Sequence, residues 1–321
     1  MSTLSTFKIY DVEFFGGVTE VVEQAGVELL TSSGGAVKMI SLNQRGEFER
    51  ESFFKNVEGL VTRRDPTSTA DVADLGMSMG EVVGVKLNTR IANTAQTLDS
   101  FKKIGEDPSL MSFSLGQMYG KSIALDMINS GLVAASTALG AQTGASLDVS
   151  AATDGTEVMS YANLVKAMAK MGDQSSRVKT IVMPSKCYFD LVGESLATPI
   201  TNVGDIAIYE GTVGTMGKTI AVLDSPALID AVAETFNVLL LTEDAVTINQ
   251  SEESSIFSET VLGKENVMLR IQGESSFTVT VKGTAWTGTA SPTNAALATA
   301  SNWNYEFADV KSGAGVSLTV K

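Results

Sequence analysis

Residues 111–141, MSFSLGQMYGKSIALDMINSGLVAASTALGA, contain the stretch that decides the fold. No proline interrupts the chain from Ser112 to Leu139, and apolar side chains recur there at helical spacing (Leu115, Tyr119, Ile123, Met127 and Ile128). At about 1.5 Å per residue such a helix is roughly 40 Å long, which exceeds the width of a small domain. The pattern therefore predicts a flat, elongated subunit whose remaining apolar surface is covered by neighbouring molecules.

After this helix, the pattern predicts a compact mixed α/β unit over residues 156–250. Ser160 can cap a second helix that Gly172 ends, and the apolar stripe of this helix consists of Leu164, Met168 and Met171. A strand over Val178–Met183 then leads through Pro184-Ser185 into a third helix. Further strand-like segments follow this helix (Ile206–Tyr209, Thr219–Leu223, Asn237–Leu241 and Ala245–Asn249).

Residues 256–286 show the long alternation that is typical of antiparallel strands with one buried face. Phe277, Val279 and Val281 fall on one face, and polar residues fall on the other. Turns are predicted at 263–266 and at Gly273-Glu274. The tail after Trp286 is rich in alanine, threonine, serine and glycine, which predicts an irregular return of the chain.

Upstream of the long helix, residues 43–92 are predicted to form an extended two-stranded arm. Strand-like runs over Phe53–Val61 and Val82–Ile91 flank a polar segment that cannot form a core by itself. An isolated hairpin is only marginally stable in water, so the arm needs another surface to lie on.

Composition excludes several classes of protein. The 321 residues suffice for one large or two small cores, and a hydrophobic content of 44% excludes global disorder. The formal net charge of −14 argues against direct binding of nucleic acid or of an anionic membrane. We find no run of about 18 apolar residues and no secretion signal, so we expect neither a membrane-spanning helix nor export.

The chain contains no histidine and one cysteine, Cys187. Without histidine there is no Ser-His-Asp triad, no Cys-His pair and no imidazole ligand for a metal ion. One cysteine cannot form an intramolecular disulfide, which fits a reducing compartment. We therefore expect no enzymatic activity, no metal ion and no cofactor.

Charge is distributed unevenly along the chain. Residues 38–103 hold ten basic and nine acidic groups, whereas the segments on either side are strongly acidic. Within this block, Arg63-Arg64-Asp65 lies at the predicted tip of the arm, where two arginines suit bidentate pairing with carboxylates of a neighbour. We expect these three residues, with Lys86 and Arg90, to contact another subunit; a solvated loop tip is the alternative.

Two short motifs resemble catalytic or nucleotide-binding sequences but lack essential parts. Gly217-Lys218-Thr219 resembles the end of a P-loop, but the required upstream glycine is displaced by one position and a strand-like run follows instead of a helix. Ser195 sits in a sequence similar to a nucleophile elbow, but a helix precedes it and no histidine can take its proton. We interpret the first as a turn and the second as a helix end.

Acidic, thiol and thioether side chains also have structural interpretations. Glu252-Glu253 and the run from Thr242 to Asp244 lack the alternating ligands and central glycine of a calcium loop, so solvated loops are expected. Cys187 is expected to be a small core residue. The methionines of the long helix (Met111, Met118 and Met127) are expected to serve core or interface packing.

At this point the order of elements resembles that of the major capsid proteins of tailed bacteriophages, which share the Hong Kong 97 fold. TRRDPTS at 62–68, followed by VKLNTRI at 85–91, resembles the extended loop of one capsid subfamily. RVKTIVMPSKCYFDLV at 177–192 and GTMGKTIAVLDSPAL at 214–228 resemble two features of the apical domain. Residues 291–321 resemble the tail of the same subfamily. One departure is Pro184, where a histidine is common. The crosslinking residues of the family cannot be matched.

The resemblance implies an α+β fold of the Hong Kong 97 type and a structural function. The expected parts are an N-terminal arm (1–42), an extended loop (43–92), a peripheral domain with the spine helix and long strands (93–155 and 251–321), and an apical domain (156–250). The resemblance implies hexamers and pentamers of one chain in an icosahedral head shell around double-stranded DNA. Assembly in the host bacterial cytoplasm is expected, with scaffolding, portal and decoration proteins as candidate partners. No membrane and no sequence-specific nucleic acid are expected.

Three alternatives remain at this stage. An encapsulin-type nanocompartment shares the fold and differs in cargo, and neighbouring genes would distinguish it. An exported surface-array protein is also acidic and poor in cysteine, but the missing secretion signal counts against it. An enzyme with a nucleotide or ester substrate is the third alternative, and a Lys218→Ala variant would test its nucleotide form.

Overall fold

A computed structural model describes residues 14, 16–22, 24, 33–44, 46–55, 61–74, 76, 78–97, 108–197, 201–203, 206–208 and 217–321. The helices are α1 (Pro108–Gly140), α2 (Tyr161–Ala169), α3 (Ser185–Ala197) and α4 (Asn294–Leu297), with short 3₁₀ turns at Gly172–Arg177, Ala300–Asn302 and Val310–Ser312. The strands are β1 (Val37–Ile40), β2 (Phe48–Phe54), β3 (Met79–Thr97), β4 (Ser146–Asp148), β5 (Val178–Met183), β6 (Thr201–Val203), β7 (Ile206–Ile208), β8 (Thr219–Val222), β9 (Ile229–Asp230), β10 (Thr235–Thr242), β11 (Val246–Val261), β12 (Met268–Val281), β13 (Thr284–Trp286), β14 (Trp303–Tyr305) and β15 (Gly315–Val320).

The first sheet contains the long strands. Its order is β1-β11-β12-β3-β13-β14, and β2 pairs with the first part of β3. β11 and β12 pair antiparallel from Val246 opposite Val281 to Val261 opposite Met268, and the predicted turn at 263–266 joins them. The alternation over 256–286 therefore predicted this ribbon correctly.

The turn predicted at Gly273-Glu274 is wrong. Gly273 lies inside β12, opposite Ile256 of β11 and Ile91 of β3. A Cβ atom at this position would lie 2.9 Å from side-chain atoms of both isoleucines. Glycine at this position thus allows β3, β11 and β12 to lie close together, next to a register shift between β12 and β3.

The second sheet has the order β4-β15-β10-β5-β8, with β9 paired to β10. β15 lies inside this sheet, antiparallel to β10 and parallel to β4, and its residues are almost entirely buried. The prediction of an irregular return was therefore wrong for residues 315–320. β15 lies in residues 251–321 and pairs with β10, which lies in residues 156–250, so one sheet contains strands from both predicted domains. The domain boundaries stay a prediction.

Helices cover both faces of the second sheet. Along β10, Leu239 and Leu241 pack in the cluster that contains Met127 and Leu139 of α1, whereas Val238 and Leu240 face the opposite side. That opposite side is covered by α2 and α3 through Leu164, Ala167, Met171, Cys187 and Leu191. A strand that is buried on both faces reads as a continuous apolar run, as VLLL does at 238–241.

The long helix α1 has 33 residues and is therefore about 50 Å long, longer than the sequence pattern indicated. Its buried residues join the cores of both sheets, because they pack with Phe277 and Val279 of β12 and with Leu239 of β10. By length and composition alone, Ser112–Gly140 is also apolar enough to cross a membrane, which the sequence analysis did not expect. Most of this stretch is buried inside the chain, as in a core helix.

An N-terminal helical segment, 16–22, packs closely on α1. A Cβ atom on Gly116 would lie 2.1 Å from the carbonyl oxygen of Phe14, and one on Gly17 would lie 2.5 Å from the carbonyl oxygen of Phe113. The two glycines therefore permit backbone contact between the helices. The remainder of the predicted arm over 1–42 is described only at residues 24 and 33–42.

The second and third helices predicted after α1, and the strand between them, are confirmed. The Ser160 hydroxyl accepts a hydrogen bond from the Asn163 N–H at the start of α2, and Gly172 follows the helix with a φ of +51°. β5 leads directly into α3, as predicted.

Candidate inter-subunit surface

The arm extends from the edge of the first sheet. β2 and β3 pair antiparallel from Phe48 opposite Val85 to Phe54 opposite Met79, and the Lys55 N–H continues the ladder with a 2.8 Å bond to the carbonyl of Ser78. The structure confirms two paired strands in the arm and the strand over Val82–Ile91. The strand predicted over Phe53–Val61 is misplaced, because β2 runs over 48–54 and residue 61 forms no strand. Beyond them, residues 61–74 are exposed and form no strand.

Two contacts hold the base of the arm against the C-terminal part of the chain. The ring of Phe53 packs edge-to-face on that of Phe307, with 4.8 Å between centroids. Beside it, the Lys55 ammonium forms an ion pair with the Glu306 carboxylate. A T-shaped aromatic pair adds about 0.5–1.5 kcal/mol to the burial of its area. The base is therefore fixed to the body of the subunit, whereas the residues of the arm tip (61–65) are exposed.

The arm tip presents charges of both signs to solvent. Arg63 and Arg64 are exposed. The carboxylate of Asp65 accepts bonds from the N–H of Thr67 at 2.9 Å and from its hydroxyl at 2.7 Å. These bonds, the backbone one first, hold the pKa of Asp65 below its usual value. The tip therefore carries two cations followed by an anion at neutral pH.

Lys86 and Arg90 lie on β3 but in different environments. Lys86 is only 6% exposed, because β3 is covered at this point, and its backbone N–H binds the carbonyl of Glu47. Burial within its own chain does not fit the contact with a neighbour that we expected of Lys86. Arg90 is exposed and lies four residues further along the strand.

Arg90 lines a groove of about 690 Å³ between α1 and the first sheet. Its walls are largely apolar and come from β3, α1 and β12 (Ile91, Leu115, Met118, Ile123 and Ile271). Met118 is 66% exposed at this groove, so it does not pack in the core of its own chain. Its expected packing in an interface stays a prediction. No pattern in the sequence indicates this groove, because β12 is far from β3 and α1 along the chain.

Asp126 of α1 places a carboxylate in the same groove. It is half-buried, and burial raises the pKa of this group above its usual value. Its carboxylate has no ion-pair partner among the residues that the structure describes. The groove thus combines apolar walls, one unpaired carboxylate and one exposed guanidinium.

The two motifs that resemble a P-loop and a nucleophile elbow have structural roles. Lys218 directs its ammonium to the carbonyls of Ser175 and Ser176, at 3.4 and 3.3 Å, and the strand β8 follows it. The predicted turn-and-strand interpretation is therefore confirmed. The Ser195 hydroxyl donates to the carbonyl of Val192 within α3, at 3.1 Å. The neighbouring Glu194 accepts the Tyr161 N–H at 2.8 Å and so helps to cap α2.

Cys187 is completely buried between α3 and the second sheet, as predicted. Burial raises the pKa of its thiol to about 12, so the reactive thiolate is suppressed.

Glu243 and Asp244 lie exposed in the turn between β10 and β11, which confirms the loop interpretation there. Glu252 and Glu253 lie within β11, so the loop expected there is wrong. Their side chains, and that of Met111, lie outside the described residues.

The chain combines an arm, a long helix that packs on two sheets, and a ribbon of long strands. It therefore has the Hong Kong 97 class of phage capsid fold. The chain is similar to a structure from Microbacterium phage Oxtober96 (9% identity, 90% of each chain, TM-score 0.53). It is also similar to one from Mycobacterium phage Bobi (10% identity, 94% of this chain and 90% of that one, 0.52) and to the capsid of Ralstonia phage GP4 (9% identity, 90% and 88%, 0.52).

Residues 6–317 match the Gp13-like family, described as major capsid protein 13-like. The chain therefore belongs to this family of major capsid proteins and is a shell protein of a tailed-phage capsid, as the sequence analysis inferred. None of the curated protein sequences matches it.

Proposed function

We propose that this chain builds an icosahedral head shell around double-stranded DNA by forming hexamers and pentamers, and that it catalyses no reaction. Assembly takes place in the host bacterial cytoplasm, with scaffolding, portal and decoration proteins as candidate partners. The acidic composition supports this proposal, since a formal charge of −14 disfavours adhesion of the wall to the DNA it encloses.

The observation that carries the proposal is the arm. Its base is anchored by Phe53 and Lys55, whereas Arg63 and Arg64 at its tip are exposed. Exposed arginines that form no ion pair with any described residue suit a bidentate contact with carboxylates on another copy. Because each subunit of a shell touches several others, contacts that are individually weak can hold the assembly.

Reversing the charge of the arm tip tests the proposal. In the variant Arg63→Glu/Arg64→Glu we expect folded subunits that form fewer shells, or shells that dissociate at lower temperature and salt. The matched control is Arg63→Lys/Arg64→Lys, which keeps both charges and should retain most of the assembly. Electron microscopy and sedimentation measure the shells, and circular dichroism checks the fold. Shells of unchanged thermal and salt resistance in the glutamate variant would contradict the proposal.

A further inference from the structure

We infer that residues 305–313, the bridge segment, couple the base of the arm to the 3₁₀ turn at Gly172–Arg177, which leads into β5 of the second sheet. A displacement of the arm then changes the stability of this turn. The reverse also holds, because a coupling free energy between two sites is reciprocal. The coupling acts within one subunit and does not depend on the proposed shell function.

The first end of the bridge segment holds the base of the arm. Phe307 packs on Phe53 with 4.8 Å between ring centroids, and Glu306 forms the ion pair with Lys55. The Glu306 side chain is only 13% exposed, so solvent screens this pair less than it screens a surface pair. A Cβ atom on Gly283 would lie 2.5 Å from the Phe307 ring, so the ring also fills the space beside the first sheet. The arm and the bridge segment are therefore held together at two points.

The bridge segment is stiffened by contacts within it. The Tyr305 hydroxyl donates to the carbonyl of Val310 at 3.0 Å, and the ring of Tyr305 packs edge-to-face with Phe307 at 6.5 Å between centroids. Burial raises the pKa of Tyr305 to about 12, so the hydroxyl keeps its proton and remains a donor at neutral pH. A Cβ atom at Gly313 would collide with the same hydroxyl. A shift of Phe307 therefore displaces Val310 and the residues that follow it.

The second end contacts the 3₁₀ turn at two places. The Lys311 ammonium donates to the Asp173 carboxylate at 2.7 Å, and the Lys311 carbonyl accepts from the Arg177 guanidinium at 3.1 Å. Arg177 also donates to the side-chain oxygen of Gln174 at 2.7 Å, so one guanidinium joins the turn to the bridge segment. The bond from Arg177 is partly buried and charge-assisted, which makes it the stronger of the two contacts.

The long helix α1 offers another route between the two sheets. Its buried residues pack with Phe277 of β12 and with Leu239 of β10. Coupling through α1 would therefore affect the centre of β10, whereas coupling through the bridge segment affects the 3₁₀ turn. Chains of packed side chains and hydrogen bonds such as the bridge segment carry coupling between distant sites. Hydrogen exchange in β10 thus distinguishes the two routes.

Amide hydrogen exchange of unassembled subunits tests the inference. Phe53→Ala should accelerate exchange in β2 and, by about three- to tenfold, in the 3₁₀ turn, and should leave residues 236–240 of β10 within about twofold. The matched control is Phe54→Ala, which removes a neighbouring ring that is 56% exposed and should leave the turn unchanged. Arg177→Ala should have the reciprocal effect on β2. Acceleration confined to β2 in Phe53→Ala overturns the inference, and so does equal acceleration of the turn and β10.

Tyr305→Phe tests the route itself, because it removes only the hydroxyl that binds Val310. Compared with Tyr305→Phe alone, the double variant with Phe53→Ala should change exchange in the turn by less than about twofold. A full effect of Phe53→Ala in this background shows that the bridge segment is not the carrier. If Phe53→Ala does not fold, Lys55→Gln replaces it, and an unchanged turn then overturns the inference. Each of these results leaves the shell function to the arm-tip variants, which test it separately.

Discussion

The arm and the second sheet illustrate two ways of using apolar residues in one chain. In the second sheet, each residue of the run 238–241 is buried, alternately under α1 and under α2 and α3. On the arm, Val61 and Val72 are exposed, whereas Phe53 and Lys55 anchor its base to the body of the subunit. The first region stabilises the subunit itself, whereas the second retains apolar and charged surface that a neighbouring copy can bury.

The largest expected effect is a difference between the two regions in how a substitution changes the free energy of unfolding. Leu240→Ala leaves a cavity in a fully buried site and should lower the free energy of unfolding by about 2–5 kcal/mol. The matched change on the arm, Val72→Ala, affects a side chain that is 87% exposed and should change it by less than about 0.5 kcal/mol. Urea unfolding of unassembled subunits, followed by circular dichroism, measures both. Equal losses of unfolding free energy in the Leu240→Ala and Val72→Ala variants would contradict the distinction between the two regions.

A smaller, local effect is expected at the junction between the arm and the body. Phe307→Ala removes the ring that packs on Phe53 and that also lies against Gly283. We expect amide hydrogen exchange in β2 and in residues 79–85 to accelerate, with an opening free energy lowered by about 1–2 kcal/mol, while exchange in β10 is unchanged. Mass spectrometry of peptides from the two regions gives the comparison. Acceleration spread equally over β10 would show that the arm is not anchored locally.

The smallest effect concerns an exposed ion pair on the body. Lys311 donates to Asp173 at 2.7 Å, which lowers the pKa of Asp173 and raises the pKa of Lys311. The contribution of a carboxyl with a lowered pKa is present above its unfolded value and is lost as the pH falls through the folded one. The melting temperature of the wild type should therefore slightly exceed that of Asp173→Asn at pH 6, and the difference should vanish under strongly acidic conditions. A difference that persists there would exclude the ion pair as its cause.

Periodicity in the sequence was sufficient to predict much of the fold. The 3.6-residue period identified α1 and α2, and the two-residue period identified β11 and β12, because one face of each is buried over many residues. β15 was missed because its short apolar alternation lies among glycines and serines. Its neighbours in the sheet, β4 and β10, are also distant along the chain. Gly273 was misread as a turn, because nothing in the local sequence shows that Ile91 and Ile256 flank it.

The candidate surface was only partly predictable. Adjacent arginines in a polar segment indicated the arm tip, and the structure leaves both exposed. Lys86 could not be distinguished from Arg90 by sequence, since the covering of β3 near position 86 depends on residues such as Glu47. Asp126 gave no signal, because a single carboxylate on a long helix resembles any solvated position until the sheet beside it is known.

The position of β15 has a consequence for synthesis on the ribosome. β4 and β10 do not pair with each other; β15 joins them, and it follows β4 by more than 160 residues. A nascent chain that has not yet emerged to residue 315 therefore lacks the element that completes this sheet. Such distant pairings form slowly. Translation thus delays the finished subunit until nearly all of this sequence has left the exit tunnel.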